Sequence, residues 1–274
     1  MNILNILNEI FSQSFMVKAV FAGIFVSVSC SLLGVFLVLK NMSLIGDGLA
    51  HVSFAAIAIG LLVSEKPLLV SIPIVIIASF LILILKEKAK IDADATIGLL
   101  SSVSIATGVI IASLSKGFNV DLFSYLFGSI LSISTNELVL SGILMVILII
   151  LVILFYNDLF SITYDENFAK ISGVKVRLVN YLLSVFISIT IVLGIRIVGT
   201  MLISSLIVFP TVSALQVSRG FKKTIVLSII FSIISVILGI IFSYTLDVPT
   251  GALIVVINAI IFIVMMIIKF IKKR

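Results

Sequence analysis

The sequence has little charge, one cysteine, one histidine, and no polar interval long enough to fold by itself. Only 11% of its 274 residues are Asp, Glu, Lys or Arg while 62% are hydrophobic, and the mean hydropathy is +1.43, which excludes a soluble globular domain. Cys30 has no second cysteine with which to form an internal disulfide. The longest polar gaps, 86–94, 115–136 and 157–177, are too short for a core of their own, so any energy source or ligand receptor must be another chain. A Gly-rich phosphate loop with its Lys and Ser/Thr is missing, and a Ser-His-Asp set would have to use the sole histidine, His51. Neither ATP hydrolysis nor hydrolase chemistry is expected of this chain. Strand alternation of the outer-membrane barrel type is absent. Met1 to Gln13 lacks the basic start of a cleavable signal and carries a short amphipathic pattern instead, which leaves the first long apolar stretch as the insertion signal.

What the sequence does have is long uncharged runs, at 19–39, 67–85, 95–115, 138–157, 178–195, 197–218, 224–246 and 248–268. Each is 18 to 23 residues, against the roughly 20 a helix needs to cross the hydrocarbon core. A ninth, about 42–63, is broken only by Asp47 and His51. The expected fold is therefore an all-α polytopic membrane protein, one transmembrane domain over 1–274 with about nine spans, or eight if one fails. Lys and Arg sort by side. The C-terminus, Arg219/Lys222/Lys223, the loop 157–177, Lys86-Glu87-Lys88-Ala89-Lys90 and Lys40 alternate with loops poorer in positive charge. The positive-inside rule places the first set, and the C-terminus, in the cytoplasm, and nine spans place the N-terminus outside. The net charge of +6 lies in these short loops, so nucleic acid is not an expected partner.

Ionisable groups inside a span are costly and mark an ion or substrate path. Asp47 and His51 are four residues apart, hence on one helix face. If the second helix starts just after Lys40, His51 lies about 16 Å in, near the midplane. Gly46 and Ala50 have the spacing that lets another helix approach closely. A carboxylate and an imidazole at i, i+4 can hold one metal ion, but two ligands are too few, and a two-fold homodimer would supply two of each. Alternatives from the residues alone are a proton relay, or a pair that simply locks two helices together. Cys30 and His51 are nearly equidistant from the turn at Lys40-Asn41, so in an antiparallel hairpin they share a depth and the thiol is a possible soft third ligand. Pro210, inside 197–218, frees the carbonyl of Leu206 and predicts a kink, with Ser204, Ser205, Thr211 and Ser213 near enough to satisfy the freed groups. The short, Ser-rich segment 121–136 reads as an outer-face or re-entrant helix. Between the spans near Tyr156 and Leu178, the acids Asp165 and Glu166, apolar Phe168 and Ile171, and Gly173 predict a short capped helix at the cytoplasmic surface.

The run Leu33-Gly34-Val35-Phe36-Leu37-Val38-Leu39-Lys40-Asn41-Met42-Ser43-Leu44-Ile45-Gly46-Asp47-Gly48-Leu49-Ala50-His51 resembles the signature of the integral-membrane permease subunits of ABC-type zinc, manganese or iron importers. Ser124–Leu131, Val198–Ser204, Pro210–Ala214 and Asp247–Gly251 are similar to further blocks of that family, so the likeness covers nearly the whole chain. It departs at the turn, where the family often has two basic residues and Asn41 stands beside Lys40. The resemblance implies a type II importer-like permease in the cell membrane and a homodimeric pore for a divalent metal bound by Asp47 and His51. It also implies two cytoplasmic ATPase subunits and an external solute-binding lipoprotein. No resident cofactor is implied, the ion being cargo. The element Asp165-Glu166-x-x-Ala169-x-x-x-Gly173 would dock on the ATPase and couple hydrolysis to pore opening, with small Ala169 allowing close approach. Import of a metal chelate of the siderophore or cobalamin type, and a proton-coupled secondary transporter, are the competing functions.

Overall fold

The computed structural model describes residues 13–64, 66–88, 92–114, 128, 133–200 and 202–272, and every regular element among them is helical. Among the described residues eight helices are long and apolar enough to cross a membrane. In chain order the helices are α1 (Ser14–Leu39), α2 (Ile45–Val63), α3 (Pro67–Lys88), α4 (Ala93–Leu114), α5 (Thr135–Leu154), α6 (Tyr156–Tyr164), α7 (Glu166–Ile171), α8 (Val176–Val198), α9 (Ile203–Val217), α10 (Phe221–Leu246) and α11 (Thr250–Lys272). The expected all-α membrane architecture is the one observed. The amphipathic segment 1–13 lies outside the described residues save for Gln13, as does most of 121–136.

The bundle is built around α1 and α2. Their most apolar stretches are 78% and 72% buried, against 17% for α4 and 22% for α5 and α11. α1 packs against α10, α9, α5 and α8, while α2 packs against α4, α3, α8 and α9. Polar side chains inside this core are satisfied mostly by backbone. Ser27, Ser29 and Ser31 donate to carbonyls three or four residues back in α1, and Ser232 of α10 donates across to the Ser27 carbonyl at 3.0 Å. Such short hydroxyls let helices approach without leaving an orphaned donor in an apolar interior. The outer helices show Ile77, Leu99, Ile110, Ile153 and Ile263 on the outside, as a lipid-facing surface requires.

Three boundaries depart from the sequence expectation. The apolar run 197–218 is not one helix. α8 continues through Val198, Gly199 (φ +90°) stops it, and α9 begins only at Ile203. At 15 residues, α9 is about 22 Å long and cannot cross the core by itself. The run 138–157 ends at Leu154, and α6 takes up the chain at Tyr156. α2 starts at Ile45 because α1 closes in a Schellman motif. Asn41 sits at φ +54°, the Met42 N–H donates to the Leu37 carbonyl (2.9 Å), and the Asn41 N–H donates to the Val38 carbonyl (3.2 Å). Around Pro210 the hydroxyls of Ser205 and Thr211 donate to the carbonyls of Leu202 and Ile207, not to that of Leu206.

Candidate metal site and coupling segment

Asp47 sits between two glycines, and that decides where it points. A Cβ on Gly46 would lie 2.7 Å from Ile207 Cδ1 of α9, and one on Gly48 would lie 2.4 Å from Ile97 Cγ2 of α4. These glycines let two helices close on α2 from either side. Successive residues are about 100° apart around a helix, so Asp47 faces the angle between α9 and α4. His51 follows on the same face, while Ile45, Leu49, Ala50 and Val52 are buried. The Asp47 side chain is 44% exposed and that of His51 20%, on a helix otherwise largely enclosed. The pair thus lies on the part of α2 that this chain leaves open.

Asp47 Oδ2 and His51 Nε2 are 3.5 Å apart, long for a hydrogen bond. Two bonds of about 2.1 Å to a shared ion, set against that separation, subtend roughly 110°, close to the tetrahedral angle. The separation therefore suits two ligands of one ion. Cys30 is fully buried in α1 and is not brought to the pair. Among the described residues no three His, Cys, Asp or Glu side chains gather closely enough to hold a metal. The later start of α2 also moves the pair. His51 is six residues past Ile45, about 9 Å along the helix, nearer the Lys40 end than a helix beginning at Lys40 would put it.

The short capped helix predicted between Tyr156 and Leu178 forms at Glu166–Ile171. Asp165 caps α7, its Oδ1 accepting from the Asn167 and Phe168 N–H groups at 2.9 and 3.0 Å. Gly173 (φ +85°) ends the element in a second Schellman motif, with the Val174 N–H on the Ala169 carbonyl at 3.0 Å and the Gly173 N–H on the Lys170 carbonyl at 3.2 Å. Ala169, expected to face a partner, has no exposed surface and belongs to the chain's own core. The outward face carries Phe168 (61% exposed) and Ile171 (86%) instead. Ahead of α7, the α6 residues Tyr156, Phe160 and Tyr164 surround Phe221 at ring separations of 5.6, 5.3 and 6.0 Å, and Phe36 of α1 closes the cluster at 5.8 Å. Phe221 as hub and Phe168 and Ile171 as outward surface were missed in the sequence. A glycine-led aromatic at the start of α10 and an i, i+3 apolar pair on a polar loop were the available signals.

The fold is that of a multi-pass membrane protein, with an acid and an imidazole on the open face of one of its two most enclosed helices. Residues 12–269 match the ABC 3 transport family, and the chain belongs to that family. It is 29% identical to a manganese transport system membrane protein of Halalkalibacterium halodurans, over 93% of this chain and 87% of that one. It is 28% identical to a high-affinity zinc uptake system membrane protein of Haemophilus influenzae, over 89% and 94%. Among solved structures, PsaBC from Streptococcus pneumoniae in complex with Fab is similar with a TM-score of 0.87 and 27% identity, covering 96% of this chain and 95% of that one.

Proposed function

We propose that this chain is the membrane-spanning subunit of an ABC importer for a divalent transition metal ion, manganese, zinc or iron(II), and that Asp47 and His51 bind the ion in transit. The observation that carries this reading is the pair's geometry: two ligand atoms 3.5 Å apart on the open face of an otherwise enclosed helix. Membership of the ABC 3 transport family and the manganese and zinc relatives support it. A carboxylate favours hard ions and an imidazole suits zinc and iron, so the ligand types alone do not choose the metal. A two-fold homodimer that brought the open faces of α2 together would offer two carboxylates and two imidazoles. Energy comes from cytoplasmic ATPase subunits engaging α6–α7, and the ion from an external solute-binding protein. Metal analysis of the purified protein should find bound manganese or zinc, lost in Asp47→Ala and in His51→Ala while the oligomer stays intact. Cells carrying either variant should lose metal uptake. Full uptake by His51→Ala overturns the reading.

A further inference from the structure

Lys40 is placed where a cation is hard to keep. Its side chain is 11% exposed and lines a cavity of about 170 Å³ with Phe36, Leu37, Met42 and Ile45. Two groups compensate the ammonium. Asn180 Oδ1 of α8 accepts from Lys40 Nζ at 2.7 Å, and Glu166 Oε2, in the first turn of α7, lies 3.8 Å away. Lys86 and Lys170 have the same sign as Lys40, and Glu87, which also lines the cavity, is paired with Arg177 at 3.0 Å; burial holds Lys40 below the usual lysine range while Glu166 pulls it back up. Among the described residues, Glu166 is the carboxylate that pairs with this cation. The Glu166 end is more open, 37% exposed and also 3.5 Å from Lys170, so the cost of breaking the pair falls on Lys40, whose enclosed charge would lose its partner without regaining water.

The two ends of that pair belong to the two working parts of the molecule. Glu166 starts the helix proposed to meet the ATPase. Lys40 is the C-cap of α1, and the turn after it is stiff. The Schellman bonds hold 37–42, the Ile45 N–H donates to the Met42 carbonyl (3.1 Å), and the Gly48 N–H donates to the Leu44 carbonyl (3.0 Å), so the backbone is bonded continuously to Asp47. Asp47 is seven residues from Lys40, in the first turn of α2. α7 itself has few other attachments to the inner helices, packing chiefly on α6 and α8.

We propose that Lys40 is a positioning residue that transmits displacement of α7, through its ion pair with Glu166, to the α1–α2 turn and so to the Asp47/His51 pair. This rests on the importer reading above and adds the link through which α7 acts. When α7 shifts, Lys40 either follows it or is left buried beside Lys86 with its carboxylate partner withdrawn, and both outcomes load the turn that starts α2. Coupling of this kind is typically worth a factor of 5 to 150.

The test uses the permease assembled with its ATPase subunits in proteoliposomes, with manganese(II) or zinc(II), whichever the parent complex transports. Lys40→Glu and Glu166→Lys should each lower metal taken up per ATP hydrolysed by at least about fivefold. The double variant Lys40→Glu/Glu166→Lys should recover most of it, a rescue that a merely structural role would not produce. Lys40→Met, which keeps the stem in the cavity, should likewise uncouple. Lys40→Glu and Lys40→Met should keep their ATPase subunits, and every variant should bind metal in detergent like the parent. Normal uptake per ATP in the single variants, failure of the double variant to recover, or loss of metal binding in Lys40→Met overturns the proposal. Absence of ATP-driven uptake by the parent complex overturns the importer reading itself, and the proposal with it.

Discussion

At Gly34 there is no room for a methyl group. A Cβ there would sit 2.1 Å from the carbonyl oxygen of Ile207 and 3.0 Å from Thr211 Oγ1, so α1 and α9 touch backbone to backbone next to Pro210. The same Ile207 fills the notch at Gly46 beside Asp47. Gly34→Ala must therefore push α9 outward, at a cost of about 1–3 kcal/mol, the usual range for overpacking. We expect a lowered melting temperature in detergent together with weaker metal binding. Gly142→Ala meets only the Phe25 ring edge at 3.1 Å, which can turn aside, and should leave both unchanged. At Asp47 and His51 the expectation concerns protons. A metal-bound imidazole must be neutral, so protons compete with the ion and affinity falls as pH falls. Titration of manganese or zinc into the purified protein at stepped pH should show that slope, and a flat profile would remove His51 from the ligand set.

Among the elements, α7 shows what local sequence can and cannot say. Its caps were legible because an N-cap acid and a C′ glycine act within a few residues of themselves. Its orientation was not, because which face turns inward depends on where α6, α8 and the α1–α2 turn lie. Ala169 is accordingly interior and Phe168 and Ile171 are outward. Ala169→Glu should thus undock α7 from its own bundle, whereas Ile171→Glu should leave the fold and metal binding intact and weaken retention of the ATPase on purification. Full retention in Ile171→Glu would shift the contact to Arg219–Lys223. The same contrast explains the other boundaries. The spans and the Asp47/His51 spacing were readable from hydropathy and helical period. The break at Gly199 inside a continuous apolar run, and the αL residue Asn41 that delays α2, are backbone events that hydropathy does not register. Cys30 shared a depth with His51 on paper, yet depth does not fix azimuth, and the thiol is enclosed in α1.

For the whole molecule, side-chain contacts tie the loops into two opposite ends. Arg177 pairs with Glu87 at 3.0 Å, Lys40 with Glu166, and Phe221 gathers α6 and α1, which puts the 86–88, 156–177 and 219–223 segments at one end; Lys269 reaches Gln216 there at 2.9 Å. At the other end Arg196 pairs with Glu137 at 2.8 Å and Lys18 donates to Thr135 at 3.0 Å. Among the described residues the first end holds Lys40, Lys86, Lys88, Lys170, Lys175, Arg177, Arg219, Lys222, Lys223, Lys269 and Lys272, and the second Lys18, Lys66 and Arg196. Basic residues in short loops stay on the cytoplasmic side, and on that ground we propose that the first end, with α7 and the end of α11, faces inward. This orientation is what the proposed function needs, since ATP is inside and the ion arrives from outside. In a Cys30→Ala background, Ser172→Cys and Thr245→Cys place single thiols at exposed positions of opposite ends. In intact cells an impermeant thiol reagent should label Thr245→Cys and spare Ser172→Cys until the membrane is opened. The reverse pattern would turn the molecule over, set the α7 surface away from any ATPase, and leave import without a motor.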